Sequence, residues 1–180
     1  LLLCYVDMAC CYYVSLAYQH DLGHPDNLAR ACHKLRHTGA SGYAGNVTDC
    51  GSGGQERLIE KAQPQQPWDF LFEGPGPGCT FVLTQPLAFA LQAWVHSHAK
   101  ELQPVGFHDW FIYAWARVQG YPWTIDARPH MRYRQHARNQ IGANAGLRSI
   151  LLRVQHITSG WGLAQAGLIP RLTGMEEHTF

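Results

Sequence analysis

A histidine and an aspartate open the most apolar helical segment of the chain, and both residue types suit acid–base chemistry. The segment GFHDWFIYAWARVQG, residues 106–120, starts with His108 and Asp109 and continues with aromatic and aliphatic residues on most sides. This pattern predicts a buried helix. Asp109 falls in its first turn, where the helix dipole stabilises a carboxylate by about 0.3–1 kcal/mol. An ionised carboxylate held there is suited to act as a general base. The simpler interpretation is that Asp109 caps the helix.

Composition points to one folded domain that has to position these residues. The chain has 180 residues, of which 46% are hydrophobic and 12% aromatic, so a substantial core is expected and a disordered chain is excluded. A net charge of +1 gives no global field for nucleic acid or for an acidic polymer. We therefore expect no nucleic-acid partner.

Cysteine usage and hydropathy indicate a cytoplasmic protein. None of the six cysteines forms a CxxC pair, so we expect buried free thiols in a reducing compartment and not a zinc site. No apolar run reaches the roughly 18–20 residues that span a bilayer. The apolar residues 1–6 lack the basic region and cleavage site of a signal peptide. Because the chain begins without Met, inside what looks like an element, we expect a fragment.

Helical and strand patterns alternate along the chain, which predicts an α/β sandwich. One predicted helix has Pro25 in its first turn and ends at Gly39, and one helical turn is predicted at residues 68–72. The other predicted helices are residues 85–99, the apolar segment above and the amphipathic residues 143–157. The predicted strands are residues 12–18, 40–49, 57–62, 79–83, 123–126 and 131–135.

Three stretches carry a resemblance to a known family. They are GPGCTFVL at residues 76–83, HDWFIYAWAR from His108, and YRQHARNQIGAN from Tyr133. Together they resemble the family 2 glycosyltransferases, within them the bacterial rhamnosyltransferase-like enzymes of surface-polysaccharide synthesis, over about residues 12–165. The resemblance implies a GT-A-type α/β fold: a Rossmann-like, mostly parallel sheet flanked by helices, truncated at the N-terminus, with the site at the carboxyl ends of the strands. Residues 1–142 would be the C-terminal portion of the catalytic domain, and residues 143–180 an amphipathic helix and tail.

The resemblance also implies a divalent cation. In the family, the strand that matches residues 12–18 ends in an acidic cluster that holds the metal and the donor diphosphate. A diphosphate leaving group calls for Mg²⁺ or Mn²⁺, which prefer carboxylate oxygens. The matching residues here are YQHDLG, with Asp21 as the one carboxylate and His20 as an imidazole ligand that suits Mn²⁺ better than Mg²⁺. The alternative role for Asp21 is a turn residue before Pro25.

Arg134 and His136 are expected at the end of a strand. The guanidinium of Arg134 offers a fork for the donor diphosphate oxygens, and His136 is a further candidate metal ligand. A histidine at a strand end is otherwise an ordinary hydrogen-bonded surface residue.

By resemblance, Asp109 is the base that deprotonates the acceptor hydroxyl for attack at the anomeric carbon. His108 would orient Asp109 or hold the acceptor, and it is otherwise an ordinary residue of the helix start. Gly78 and Cys79 match the acceptor-side loop, where small residues let a sugar approach the backbone, although glycine–proline runs also mark plain turns. Trp110 is a candidate for stacking on the acceptor sugar.

We therefore expect an inverting, metal-assisted glycosyltransferase that uses a nucleotide-sugar donor, with rhamnose as a candidate sugar, and a saccharide or lipid-linked acceptor. One alternative is a catalytically impaired remnant that keeps the fold and acceptor binding. The other is a metal-dependent hydrolase, suggested by eleven histidines but by no HExxH spacing. Since only about 17 residues precede Tyr18, and a βαβ unit takes about 30, we expect weak activity or none from this chain alone. The helix of residues 143–157, with Arg148 and Arg153, is a candidate for peripheral contact with the inner membrane face.

Overall fold

The structure is a computed structural model that describes residues 12–16, 22–50, 56–60, 62, 64–71, 73–133 and 160–175. The helices are α1 (Asn27–Thr38), α2 (Gln85–Ser97), α3 (His108–Val118) and α4 (Trp161–Leu172). The strands are β1 (Tyr13–Ser15), β2 (Leu22–Gly23), β3 (Gly42–Cys50), β4 (Glu56–Ile59), β5 (Val82–Thr84) and β6 (Trp123–Tyr133). Short 3-10 turns occupy Asp69–Leu71 and Gly78–Thr80.

The described strands form one mixed sheet in the order β1-β5-β3-β6-β2, with β4 added to β3. Only β3 and β6 run parallel there, and the other four pairings are antiparallel. The expectation of a mostly parallel sheet is therefore wrong for the described part of the chain. Residues 51–55 alone separate β3 from β4, and so short a connection can only return the chain antiparallel. The chain from β3 to β6 passes through α2 and α3, which is long enough for a parallel crossover.

The pairing of β3 with β6 is irregular at one point, and the two strands predicted on either side of that point form a single strand. Gly45 pairs with Asp126 but Val47 pairs with Met131, so β6 carries extra residues opposite Asn46. Asn46 Nδ2 donates to the carbonyl of Ala127 at 2.7 Å, and its Oδ1 accepts from Ala62 N–H at 2.8 Å. The bond to Ala127 links β3 to the stretch of β6 in which a proline interrupts the strand pattern. The strands predicted at residues 123–126 and 131–135 are therefore one strand up to Tyr133.

Helices cover both faces of the sheet. Tyr43 and Val82 pack with Ala31 and Leu35 of α1 on one face. Their chain neighbours, including Ala44 and Leu83, point the other way into the larger core formed with α2, α3 and α4. That core takes in Trp115 and Trp123, both of which are buried. The described residues thus confirm a layered α/β arrangement.

A buried ion pair fastens α1 to the sheet. Arg30 of α1 donates from Nε and Nη2 to the two carboxylate oxygens of Asp126, at 2.7 and 3.1 Å. Asp126 is 4% exposed. Burial alone would raise the pKa of the Asp126 carboxyl, but the hydrogen bonds and charge of Arg30, with the Arg128 N–H, hold it below its usual value. Burial raises the pKa of the neighbouring Tyr43 phenol, and the negative charge of Asp126 raises it further.

Several helix boundaries follow the sequence prediction and others differ. Gly39 ends α1 in the left-handed conformation with φ of 69°, as predicted, while Pro25 lies in the turn before α1 and not in its first turn. α3 is buried without interruption from Trp110 to Ala116, as predicted. α4 was not predicted, since Pro170 within it argues against a helix. The predicted helix of residues 143–157 lies outside the described residues.

Across the described ranges, we find no helix with the length and apolarity needed to span a bilayer.

The close contact between Gly42 and Trp123 allows the packing of the sheet to be tested. A Cβ added at Gly42 would lie 2.1 Å from ring atom Cε3 of the buried Trp123. We expect Gly42→Ala to lower the free energy of unfolding by about 1–3 kcal/mol, since the indole cannot move without disturbing the core. Thermal and urea unfolding measure the change. Gly162→Ala at an exposed position of α4, where an added Cβ meets nothing within 4 Å, is the control and should be neutral or stabilising. Equal stability of the two variants would contradict the packing described.

Candidate active site

Asp109 lies in the first turn of α3, the helix that precedes the parallel strand β6. The 11 residues of α3 make a helix about 16 Å long, and its C-terminal end leads through residues 119–122 into the start of β6. In a crossover between parallel strands the helix runs back along the strands. The N-terminal end of α3 is therefore expected on the side of the carboxyl ends of β3 and β6. This is the side on which α/β sheets place their ligands. The predicted place of Asp109 in the first turn of α3 is confirmed.

The two oxygens of Asp109 have different surroundings. Oδ1 accepts the backbone N–H of Trp110 at 2.9 Å, which fixes the carboxyl against the first turn of α3. Oδ2 has no hydrogen-bond partner among the described residues. Phe107 occupies the N-cap position, so Asp109 satisfies one free amide of the helix start without being the capping residue. The side chain is half-buried, which leaves a fixed carboxylate with one oxygen available to a ligand.

The residues beside Asp109 are held by two other parts of the chain. Trp110 Nε1 donates to the carbonyl of Phe70 at 2.7 Å, and a Cβ at Gly74 would lie 3.4 Å from the Cα of Trp110. On the other side, Gln165 of α4 accepts the N–H of Gly106 and donates to the carbonyl of Pro104, both at 3.0 Å. The start of α3 is thus held by hydrogen bonds with the Phe70 segment on one side and with α4 on the other.

His108 and Trp110, both predicted to contact the acceptor, differ in exposure. His108 is half-buried next to Asp109. Trp110 is 9% exposed and packs in the core. The structure gives Trp110 a packing role, and its acceptor contact stays a prediction that this burial does not favour.

A polar network ties the segment before Gly74 to α3. Tyr113 Oη lies 3.1 Å from both carboxylate oxygens of Asp69, and Arg117 Nη1 donates to Tyr113 Oη at 2.6 Å and to Asp69 Oδ1 at 3.1 Å. Burial raises the pKa of Tyr113 to about 12, so its hydroxyl remains a donor at neutral pH. The sequence analysis did not predict this network. A signal for it was present, because Arg117 is the one charged residue near the C-terminal end of a buried helix.

Gly78 and Cys79 form part of a buried turn. Both lie in the 3-10 turn Gly78–Thr80, and Cys79 is 1% exposed and packs with Val47 and Met131. Thr80 Oγ1 accepts the N–H of Gly45 at 3.2 Å and donates to the carbonyl of Pro77 at 2.8 Å. The strand predicted from residue 79 therefore begins only at Val82. The observed role of these residues is packing against β3, and acceptor contact remains a prediction.

The predicted metal ligands His20, Asp21 and His136, and the predicted diphosphate ligand Arg134, lie outside the described residues. The described strands next to them are adjacent, since Leu22 pairs with Arg132 and Gly23 with Met131. In the parts of the chain that the structure describes, no three His, Cys, Asp or Glu side chains are grouped to hold a metal ion. A Mg²⁺ or Mn²⁺ site at residues 20, 21 and 136 therefore stays a prediction.

A cluster at the same edge of the sheet was not predicted. Asp26 Oδ1 lies 2.7 Å from His24 Nδ1 and 3.6 Å from His130 Nδ1. The hydrogen bond from His24 is the main cause of the lowered pKa of Asp26. A cavity of about 310 Å³ adjoins the two histidines between the carboxyl ends of β3 and β6. The sequence offered no signal, because His24 and His130 become neighbours only through the pairing of β2 with β6.

The chain is similar to the dTDP-rhamnosyl transferase RfbG of Shigella flexneri, with 33% identity over 156 residues that cover 87% of this chain and 54% of that protein. The chain thus spans about half the length of this curated relative. No protein-family model matches the chain. Among solved structures, none matches it.

Proposed function

We propose that this chain carries the catalytic base of a glycosyltransferase that moves a sugar from a nucleotide-sugar to a saccharide or lipid-linked acceptor. The observation that carries the proposal is the geometry of Asp109, a fixed, half-buried carboxylate with one oxygen unpartnered among the described residues. The similarity to a dTDP-rhamnosyl transferase supports this reaction class and makes dTDP-rhamnose the first donor to examine.

In the proposed reaction Asp109 Oδ2 receives the proton of the acceptor hydroxyl. The acceptor oxygen then bonds to the anomeric carbon as the bond to the nucleotide diphosphate breaks on the opposite face, which inverts the configuration. The Trp110 N–H on Oδ1 keeps the carboxyl orientation constant during this transfer.

Donor binding is proposed for the edge formed by β2 and β6. A divalent cation bound by His20, Asp21 and His136 would offset the charge of the departing diphosphate, and Arg134 would donate two hydrogen bonds to it. The pairing of Leu22 with Arg132 supports this assignment, because His20 and Asp21 directly precede β2 in the sequence while Arg134 and His136 follow the paired end of β6.

A catalytically impaired remnant is the second candidate. The observation in its favour is the burial of Trp110, Gly78 and Cys79, three of the predicted acceptor contacts, in the core. A remnant of this kind would keep the fold and any acceptor binding that other residues provide, without turnover.

Titration of dTDP-rhamnose into the chain with and without Mn²⁺ tests the proposal. We expect weak saturable binding, toward the upper end of the usual range of enzyme substrates of about 1 μM–1 mM, that weakens further when the cation is chelated. Chromatographic detection of dTDP release on addition of a saccharide acceptor then measures transfer. UDP-glucose is the matched control ligand for donor specificity. Binding without acceptor-dependent release would favour the remnant, and no binding under either condition would contradict the proposed donor site.

A further inference from the structure

The solvent face of α1 carries two histidines one helical turn apart. His33 and His37 are both exposed, and their imidazole rings lie 6.1 Å apart between centroids and within 10° of parallel. Residues at positions i and i+4 share one helix face, so both rings project from the same side of a rigid element. Within the described part of the chain, neither ring accepts or donates a hydrogen bond. Two neighbouring pairs of imidazole nitrogens therefore face solvent.

We propose that His33 and His37 form a bidentate site for a late first-row divalent ion of the Ni²⁺, Cu²⁺ or Zn²⁺ type. Imidazole is a preferred ligand of these ions. Two nitrogens on bonds of about 2.0–2.1 Å to a tetrahedral ion are about 3.3 Å apart. Exposed histidines change rotamer freely, and rotation of both rings brings one nitrogen of each to this separation. Water fills the remaining coordination positions.

The surroundings favour a cation that binds imidazole strongly. The pair occupies the C-terminal half of α1, whose last turn includes His37, and the helix dipole there attracts positive charge. The charge of Arg30, one turn before His33, is neutralised by Asp126. Lys34 and Arg36 flank the pair at about 60–100° around the helix and oppose a bound cation. Mg²⁺ and Mn²⁺, which prefer oxygen ligands, are therefore not expected to bind.

This site is separate from the proposed transferase chemistry. α1 packs on the sheet through Ala31 and Leu35, so its histidine face points away from β3 and β6. The inference goes beyond the proposed function and does not depend on it.

Isothermal titration of Ni²⁺ into the chain tests the site. We expect one ion bound per chain at this site, with affinity about tenfold or more weaker in His33→Ala and likewise in His37→Ala. The double variant should lose little more than either single variant, because one remaining imidazole no longer forms a chelate. His96→Ala, which removes an exposed histidine of α2, should keep the parent affinity.

A matched control keeps all eleven histidines and changes only their spacing. In the combined variant His37→Thr with Thr38→His, positions 33 and 38 are about 140° apart around the helix, and we expect the same loss as in His37→Ala. Circular dichroism checks that each variant is folded. Parent-level Ni²⁺ affinity in the spacing variant, or no Ni²⁺ binding by the parent chain, would overturn the proposal.

Discussion

In an active transferase that contains this chain, Asp109→Asn is expected to lower the rate of sugar transfer by about 10²–10⁴-fold, the usual contribution of a positioned base. The amide cannot take up the acceptor proton at neutral pH, whereas its oxygen still accepts the Trp110 N–H that Oδ1 accepts in the parent. The fold and the affinity for the nucleotide-sugar are therefore expected to stay close to those of the parent chain. Initial rates of nucleotide release, with donor affinity from titration, measure the two effects separately.

Glu101→Gln is the matched control for this experiment. Glu101 is an exposed carboxylate in the turns before α3, so the change removes the same charge without touching the start of the helix. Its rate of transfer should equal that of the parent. If Asp109→Asn transfers sugar as fast as Glu101→Gln, Asp109 is not the base. If Asp109→Asn instead loses donor binding in proportion to rate, the residue contributes to binding and not to proton transfer.

Asp126→Asn is expected to lower the free energy of unfolding by about 3–5 kcal/mol, as for other buried ion pairs that lose one partner. The 4% exposed carboxylate is the partner of both donor groups of Arg30, and the substitution leaves that guanidinium with a neutral amide. Since Arg30 retains 22% side-chain exposure, some of its lost solvation is recovered from water, which places the expected change toward the lower value. Urea unfolding monitored by tryptophan fluorescence measures it.

The double variant Arg30→Met with Asp126→Leu separates the loss of the pair from the loss of one charge. Replacing both members by apolar side chains leaves no buried unpaired charge, so we expect it to be more stable than Asp126→Asn. An Asp126→Asn chain that is as stable as the parent would show that the pair contributes nothing to the attachment of α1.

The ion pair between Arg30 and Asp126 also makes the unfolding free energy of the parent chain depend on pH. Because the pKa of Asp126 is lower in the folded state than its ordinary value near 3.9, the contribution is fully present above that value and is lost as the pH falls toward the folded-state pKa. The difference in unfolding free energy between parent and Asp126→Asn should therefore shrink below about pH 4. A difference that stays constant from pH 6 to pH 3 would contradict an ionised Asp126 in the fold.

Local patterns in the sequence were sufficient for most of the individual elements. Helix α3 follows from an uninterrupted apolar run, which only a buried helix can accommodate, and the end of α1 follows from a glycine able to adopt positive φ. The place of Asp109 in the first turn of α3 depends on the same run. Each of these properties depends on residues within one or two turns of each other, so the sequence alone was enough to predict them.

Contacts between distant residues were decided only by the tertiary structure. Arg30 and Asp126 are 96 residues apart, and Tyr113 meets Asp69 across 44. No local period marks such partners, because a hydrogen bond depends on where the elements pack and not on spacing along the chain. The direction of each strand is equally non-local. The alternation of side chains along a strand marks its two faces and not its direction relative to a neighbour. Here the short connection after β3 returns β4 antiparallel, and the longer chain through α2 and α3 brings β6 in parallel to β3.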